Sequence, residues 1–131
     1  MTAGALGRTY ADGEVVVRQG DEGDCLFVVQ DGQLEVVRED AGKETLLRVV
    51  GKDEIVGEMS IFERRARSAT VRARGEARVL TLDRKNFLRR VGEDPSLAFR
   101  ILETQSRRIR DLTEQLTAIR RVVDRGWKEG R

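Results

Sequence analysis

Two short clusters nine residues apart hold the side chains best suited to chemistry: Gly57–Glu58 and Arg67–Ser68–Ala69, within IVGEMSIFERRARSATVRA. Arginine carries a permanent positive charge on a planar fork that matches phosphate oxygens. Ser68 offers a hydroxyl, and Ala69 a backbone amide with almost no side chain in the way. The segment GEMSIF is long enough for one helical turn, whose first N–H groups lack partners and present partial positive charge. Gly57 lets a guest approach the backbone closely. Glu58 would repel an anion, so beside an anion site it is useful only as an acceptor for hydroxyls on the same guest. Ribose and phosphate joined in one compact molecule is the implied shape. A lone glutamate or arginine reads as a solvated surface residue; the pairing is what argues for a pocket.

The rest of the composition narrows the chemistry. The 131 residues include no histidine, which removes the commonest general base and metal ligand. The single cysteine, Cys25, rules out an internal disulfide and thiolate metal clusters, and its setting in DCLFVVQ reads as a small buried filler. No constellation of carboxylate, Lys, Tyr or Ser/Thr stands out, so the sequence predicts a non-enzyme with no catalytic residue, metal or cofactor. The 25 basic residues are balanced by 23 acidic ones, and a net charge of +2 argues against nucleic-acid binding by this chain alone. With neither a long apolar run nor a secretory start, the expected address is cytoplasmic, with no membrane segment.

Those clusters must be held by a scaffold, and its pattern is mostly β. From about residue 14 to 82, short β-branched runs alternate with turn residues: EVVVR, CLFVVQ, QLEVVRE, ETLLRVV, SATVRAR and ARVLTLD. Asp31–Gly32 reads as a tight hairpin and Gly75–Glu76 as another turn. Such spacing predicts an antiparallel jelly-roll-type β-roll. The texture turns helical at about 83–92, with Asp83 as N-cap, and a long helix is expected over 95–124, opened by Pro95 in its first turn. The predicted organisation is one domain over 1–124 with a tail over 125–131.

The long helix carries a heptad seam. Leu102, Ile109, Leu116 and Val123 fall seven apart, with Leu112 and Ile119 at the alternate position, which also contains Gln105 and Gly126. This is the pattern of a two-stranded coiled coil, although the same stripe can pack on the chain's own roll. The sequence predicts that the first half faces the roll and the second half faces a partner in a homodimer.

GEMSIFERRARSATVRA resembles the phosphate-binding cassette of the cyclic nucleotide-binding domain family: Phe-Gly-Glu, a small turn, a variable tip, then Arg-Ala/Ser/Thr-Ala-Thr-Val. YADGEVVVRQGDEGDCLFVVQDGQLEVV resembles that family's first strands, and LTLDRKNFLRRVGEDPSLAFRIL the helices after the roll. The likeness covers about Tyr10 to Gln115. It implies that Glu58 accepts the ribose 2′-hydroxyl and Arg67 pairs with an exocyclic phosphate oxygen. Amides around Met59, Ser60 and Ala69, with Gly57 and the Ser68 hydroxyl, would complete the cradle. Leu47 and Val49 would flank the base. Arg108 matches an arginine that reaches the cassette glutamate in dimeric bacterial members, and Leu112 and Thr113 lie where such members place residues over the base.

Val56 stands where the family has an aromatic, Asp53 where it has glycine and Ala66 where many members have proline. Leu112 is apolar where the catabolite-activator type has a base-reading hydroxyl, and a hydroxyl at Ser68 occurs among cGMP binders. The ligand implied is cAMP in preference to cGMP. The implied function is a regulatory sensor whose cassette repositions the last helix, signalling to a dimer mate, an effector protein or a fused domain. The alternatives are a degenerate roll kept as a dimerisation module, or the sensor part of a transcription regulator without its DNA-binding segment.

Overall fold

The fold comes from a computed structural model that describes residues 7–58, 60 and 66–129, with side chains through residue 126. Among these residues six strands precede two helices: β1 (Arg8–Tyr10), β2 (Val15–Val17), β3 (Cys25–Asp40), β4 (Lys43–Val50), β5 (Ile55–Val56), β6 (Thr70–Asp83), α1 (Arg84–Glu93) and α2 (Pro95–Glu129). All pairings are antiparallel, along the path β1-β6-β3-β4, with β2 on β6 and β5 on β3. The expected antiparallel roll followed by two helices is the observed architecture.

The two turns expected at glycine do not form. CLFVVQ and QLEVVRE are one 16-residue strand, β3, and the Gly75–Glu76 pair lies inside the 14-residue β6. These two strands pair with each other from Cys25↔Asp83 to Val37↔Thr70, with register shifts around Asp31 and Gln33. Gly32 and Gly75 both have positive φ, 78° and 71°, and mark the bulges where the double strand bends. A side chain on Gly32 would lie 2.3 Å from the Glu76 carbonyl oxygen and 2.9 Å from Ala77 Cα, so the close strand crossing requires glycine. Each glycine supplies a bend where its partner strand bends too, and the chain continues.

The core has two parts, divided by the sheet. Inside the roll, Phe27, Val29, Leu34, Val36, Val50, Val56, Val71 and Val79 pack together with Tyr10. On the other face Leu26, Val28, Ile55, Leu80 and Leu82 meet Leu97 and Ile101 of α2 and the half-buried Phe87 of α1. Alternate residues of a strand face opposite ways. CLFVVQ is therefore apolar throughout because the roll interior covers one face and the helices cover the other.

The helices start and end by recognisable chemistry. Asp83 caps α1, accepting from Asn86 N at 2.8 Å, and α1 proper begins at Arg84. Pro95 occupies the first position of α2, where its missing N–H costs nothing. This helix continues past Asp124, where the sequence placed its end, to Glu129. Gly126 costs a helix interior only about 1 kcal/mol, and Arg125, Lys128 and Glu129 are all good helix formers.

The part of α2 that meets the roll is also narrower than expected. Leu97 and Ile101 are buried and Thr104 and Arg108 half-buried along one face. The heptad seam begins just beside this stripe and is solvent-facing from its first member: Leu102, Ile109, Leu112, Leu116, Ile119 and Val123 are 55–65% exposed. The first half of the seam does not cover the roll; Leu97 and Ile101 do.

Candidate functional site

Arg67 is the most constrained charged group of the site, with 9% of its surface exposed. Its backbone is pinned by Arg67 N donating to Asp21 O and Gly20 N donating to Arg67 O, both at 2.8 Å. Its guanidinium donates through Nη2 to Cys25 O at 2.9 Å and through Nη1 to Gly57 O at 3.1 Å. The Phe27 ring lies 5.4 Å away, within cation–π range. Burial pushes the Arg67 guanidinium below its ordinary value, with Cys25 and Asp24 opposing it. Even so, an arginine stays charged at every physiological pH.

Two glycines make the room it occupies. A methyl on Gly57 would come within 2.5 Å of Arg67 Nη1, and one on Gly23 within 2.6 Å of Nη2. Gly57 also has φ +79°, a conformation that other residues rarely adopt. The glycine of Gly57–Glu58 is therefore needed twice, for the turn and for the arginine that follows ten residues later.

The remaining cassette residues fall around a cavity of about 220 Å³. Gly57, Glu58, Ser60, Arg67, Ser68 and Ala69 all line it. Ser60 is buried, its Oγ 2.8 Å from Gly57 O and 3.0 Å from Cys25 O, so that hydroxyl is committed to the backbone. Ser68 is exposed, Ala69 buried and Glu58 half-buried. Cys25, read from sequence as a buried filler, is half-buried; its carbonyl oxygen, holding Arg67 and Ser60, is what serves the site. Met59 lies outside the described residues.

A second, larger cavity of about 460 Å³ lies between β4 and α2. Leu47, Val49, Arg108 and Leu112 line it, so four further sequence-predicted residues share a groove beside the cassette. Thr113 borders neither cavity; it is exposed and its hydroxyl donates to Ile109 O at 2.8 Å. Arg108 does not reach Glu58. It pairs with Glu54, on the β4–β5 turn that α2 crosses, and approaches Val49 O at 3.5 Å. Arg100 lies 3.6 Å from Asp53 and Thr104 Oγ1 donates to Asp53 O at 3.1 Å, so three side chains at four-residue spacing grip this turn. Asp53 adopts φ +67°, a conformation that glycine takes at no steric cost.

Sequence reasoning missed Arg48, which alone among the described residues lines both cavities. Its strand register pairs it with Val36, whose side chain is buried in the roll. Val50, two residues on, is buried as well, so alternation along the strand was the available signal. Leu47 and Val49, carried over from the resemblance as residues flanking the base, line only the larger cavity.

Comparison with known proteins agrees with this geometry. The family model described as cyclic nucleotide-binding domain matches residues 7–94. The chain is similar to a cAMP-dependent protein kinase regulatory subunit of Blastocladiella emersonii, 38% identical over 63% of this chain and 21% of the relative. It is also similar to the cyclic AMP receptor protein of Thermus thermophilus, 31% identical over 83% of this chain and 51% of the relative. The chain thus spans about a fifth of the first of these curated relatives and about half of the second. The crystal structure of Thermus thermophilus catabolite activator protein superposes with a TM-score of 0.64 at 30% identity, covering 86% of this chain and 53% of that one. With the roll, the two glycine-framed contacts of Arg67 and the matched span in agreement, the chain belongs to the cyclic nucleotide-binding domain family.

Proposed function

We propose that this chain is a regulatory sensor, without catalytic activity of its own, that binds a 3′,5′-cyclic purine nucleotide, cAMP in preference to cGMP. The observation that carries this reading is the buried Arg67 guanidinium on the wall of a cavity that Glu58 also lines. The phosphate would meet Arg67 and the Ala69 amide, the ribose hydroxyl would meet Glu58, and the base would extend into the groove of Leu47, Val49 and Leu112. Relatives named for cAMP support the choice of adenine. A roll kept only for dimerisation would have no use for an arginine buried at the desolvation cost that Arg67 bears.

Signalling would run through α2. The turn that Arg100, Thr104 and Arg108 grip lines the groove together with the helix, so a nucleotide that moves the turn moves the helix. Binding shifts such an equilibrium only by its differential affinity for the two arrangements. The exposed seam from Leu102 to Val123 supports a homodimer as the receiver, with an effector protein or fused domain beyond it. No helix among the described residues is long and apolar enough to cross a membrane, and the proposed setting is the cytoplasm. Displacement of a fluorescent cyclic nucleotide by cAMP and by cGMP tests the reading. Tighter displacement by cAMP is the expected result, and failure of both nucleotides would reject it.

A further inference from the structure

We infer that Arg48 is a positioning residue of the nucleotide site, acting on the ligand through Glu58. The inference rests on the nucleotide reading above and starts from an oddity of the scaffold. Arg48 is half-buried on the inward face of β4, opposite the buried Val36, and borders a cavity that Val17, Val56 and Val71 also line. A guanidinium placed among valines is costly unless something compensates it. Among the described residues no carboxylate or carbonyl lies within hydrogen-bonding reach of it. The nearby charges are Glu58 and Glu54, which attract it, and Arg108, which repels it.

The two carboxylates are not equivalent. Glu54 is already occupied: one oxygen takes Arg108, and the other accepts from Gly51 N at 3.2 Å. Among the described residues Glu58 has no such partner, so it is the acid left for Arg48 to act upon. A cyclic phosphate brought beside Glu58 meets a like charge that Arg67 alone does not offset. Counting Arg48, two cations face the glutamate and the phosphate, and the site becomes neutral. Arg48 does this through space, which leaves the Glu58 oxygens open to accept a ribose hydroxyl. A direct fork-to-carboxylate bond would have blocked them.

The test is a double-mutant cycle by calorimetric titration of the full chain with cAMP, using Arg48→Gln, Glu58→Gln and the two together. Glutamine at position 58 keeps the shape and one acceptor oxygen while removing the charge. Arg48→Gln is expected to weaken cAMP binding about five- to tenfold, the scale of losing a partly buried charge pair. In the Glu58→Gln background the same substitution is expected to change affinity by less than about twofold, because the charge it answers is gone. Arg48→Lys, which keeps the charge without the fork, should bind within about twofold of wild type. Equal losses in both backgrounds would mean that Arg48 touches the nucleotide itself, and would overturn the inference. So would an Arg48→Gln variant that binds as wild type does, or a melting temperature that falls in step with affinity. A wild-type chain that binds no nucleotide would overturn the site reading and this inference with it; wild-type binding with an additive cycle overturns the inference alone.

Discussion

Arg67 illustrates how far the setting of one buried cation is made by the backbone around it. Gly23 and Gly57 leave the volume that its guanidinium fills, and the carbonyls of Cys25 and Gly57 set its direction. Gly23 isolates this steric effect, since unlike Gly57 it does not sit at positive φ. The methyl of a Gly23→Ala variant would meet only the far end of a flexible side chain, which can swing aside. The expected result is a loss of about tenfold or more in cAMP affinity, or about 1.4 kcal/mol. The denaturation midpoint should move little, and equilibrium titration beside a urea melt separates the two effects. The same scale shows what the sequence discloses. That Glu58 and Arg67 line one cavity was legible, because a guest carrying phosphate and sugar hydroxyls would demand a fixed cation and an acceptor together. Arg48 was not, because the resemblance pointed to Leu47 and Val49 on that strand, and the alternation that turns position 48 inward went unread. The partner of Arg108 was out of reach too: nothing local in the sequence says that Glu54, rather than Glu58, lies beneath α2.

Among the elements, β3 and β6 define the roll and also gave the clearest misreading. Asp31–Gly32 and Gly75–Glu76 have the composition of tight turns, yet the segments on either side of each glycine pair with the same partner strand. Hairpin and bulge both require positive φ, so a glycine identifies the backbone conformation without saying whether the chain reverses. Helix starts are less ambiguous, because a cap answers a purely local need. Asp83 was recognisable for that reason, and its carboxylate accepts from Asn86 N at 2.8 Å. Asp83→Ala is expected to cost about 1 kcal/mol of folding stability, measured as a shift of the urea midpoint. Because α1 lies away from both cavities, nucleotide affinity should be nearly unchanged, and a large loss would mean that α1 has a role in binding.

At the scale of the whole molecule, the roll and α2 divide the work. Residues 97–108 of α2 are tied to the sheet and to the β4–β5 turn, while the seam beyond them presents its leucines and isoleucines to solvent. An apolar stripe left open on a long helix suits a second copy of the same stripe. Leu116→Glu would place like charges face to face at the centre of such a seam. Sedimentation equilibrium is expected to show a dimer for the wild-type chain and a monomer for this variant, with the cassette still able to bind nucleotide. A wild-type monomer at high concentration would remove the dimer from the account.

The central claim is that Arg67 and Glu58 hold one cyclic nucleotide per chain. Calorimetric titration of the wild-type chain and of Arg67→Glu with cAMP tests it most directly. The account predicts saturable binding of one nucleotide per chain for the wild type and at least about a hundredfold weaker binding for the variant, which replaces the phosphate's partner by a like charge. Equal affinity in the two proteins, or no binding by the wild type, would contradict it.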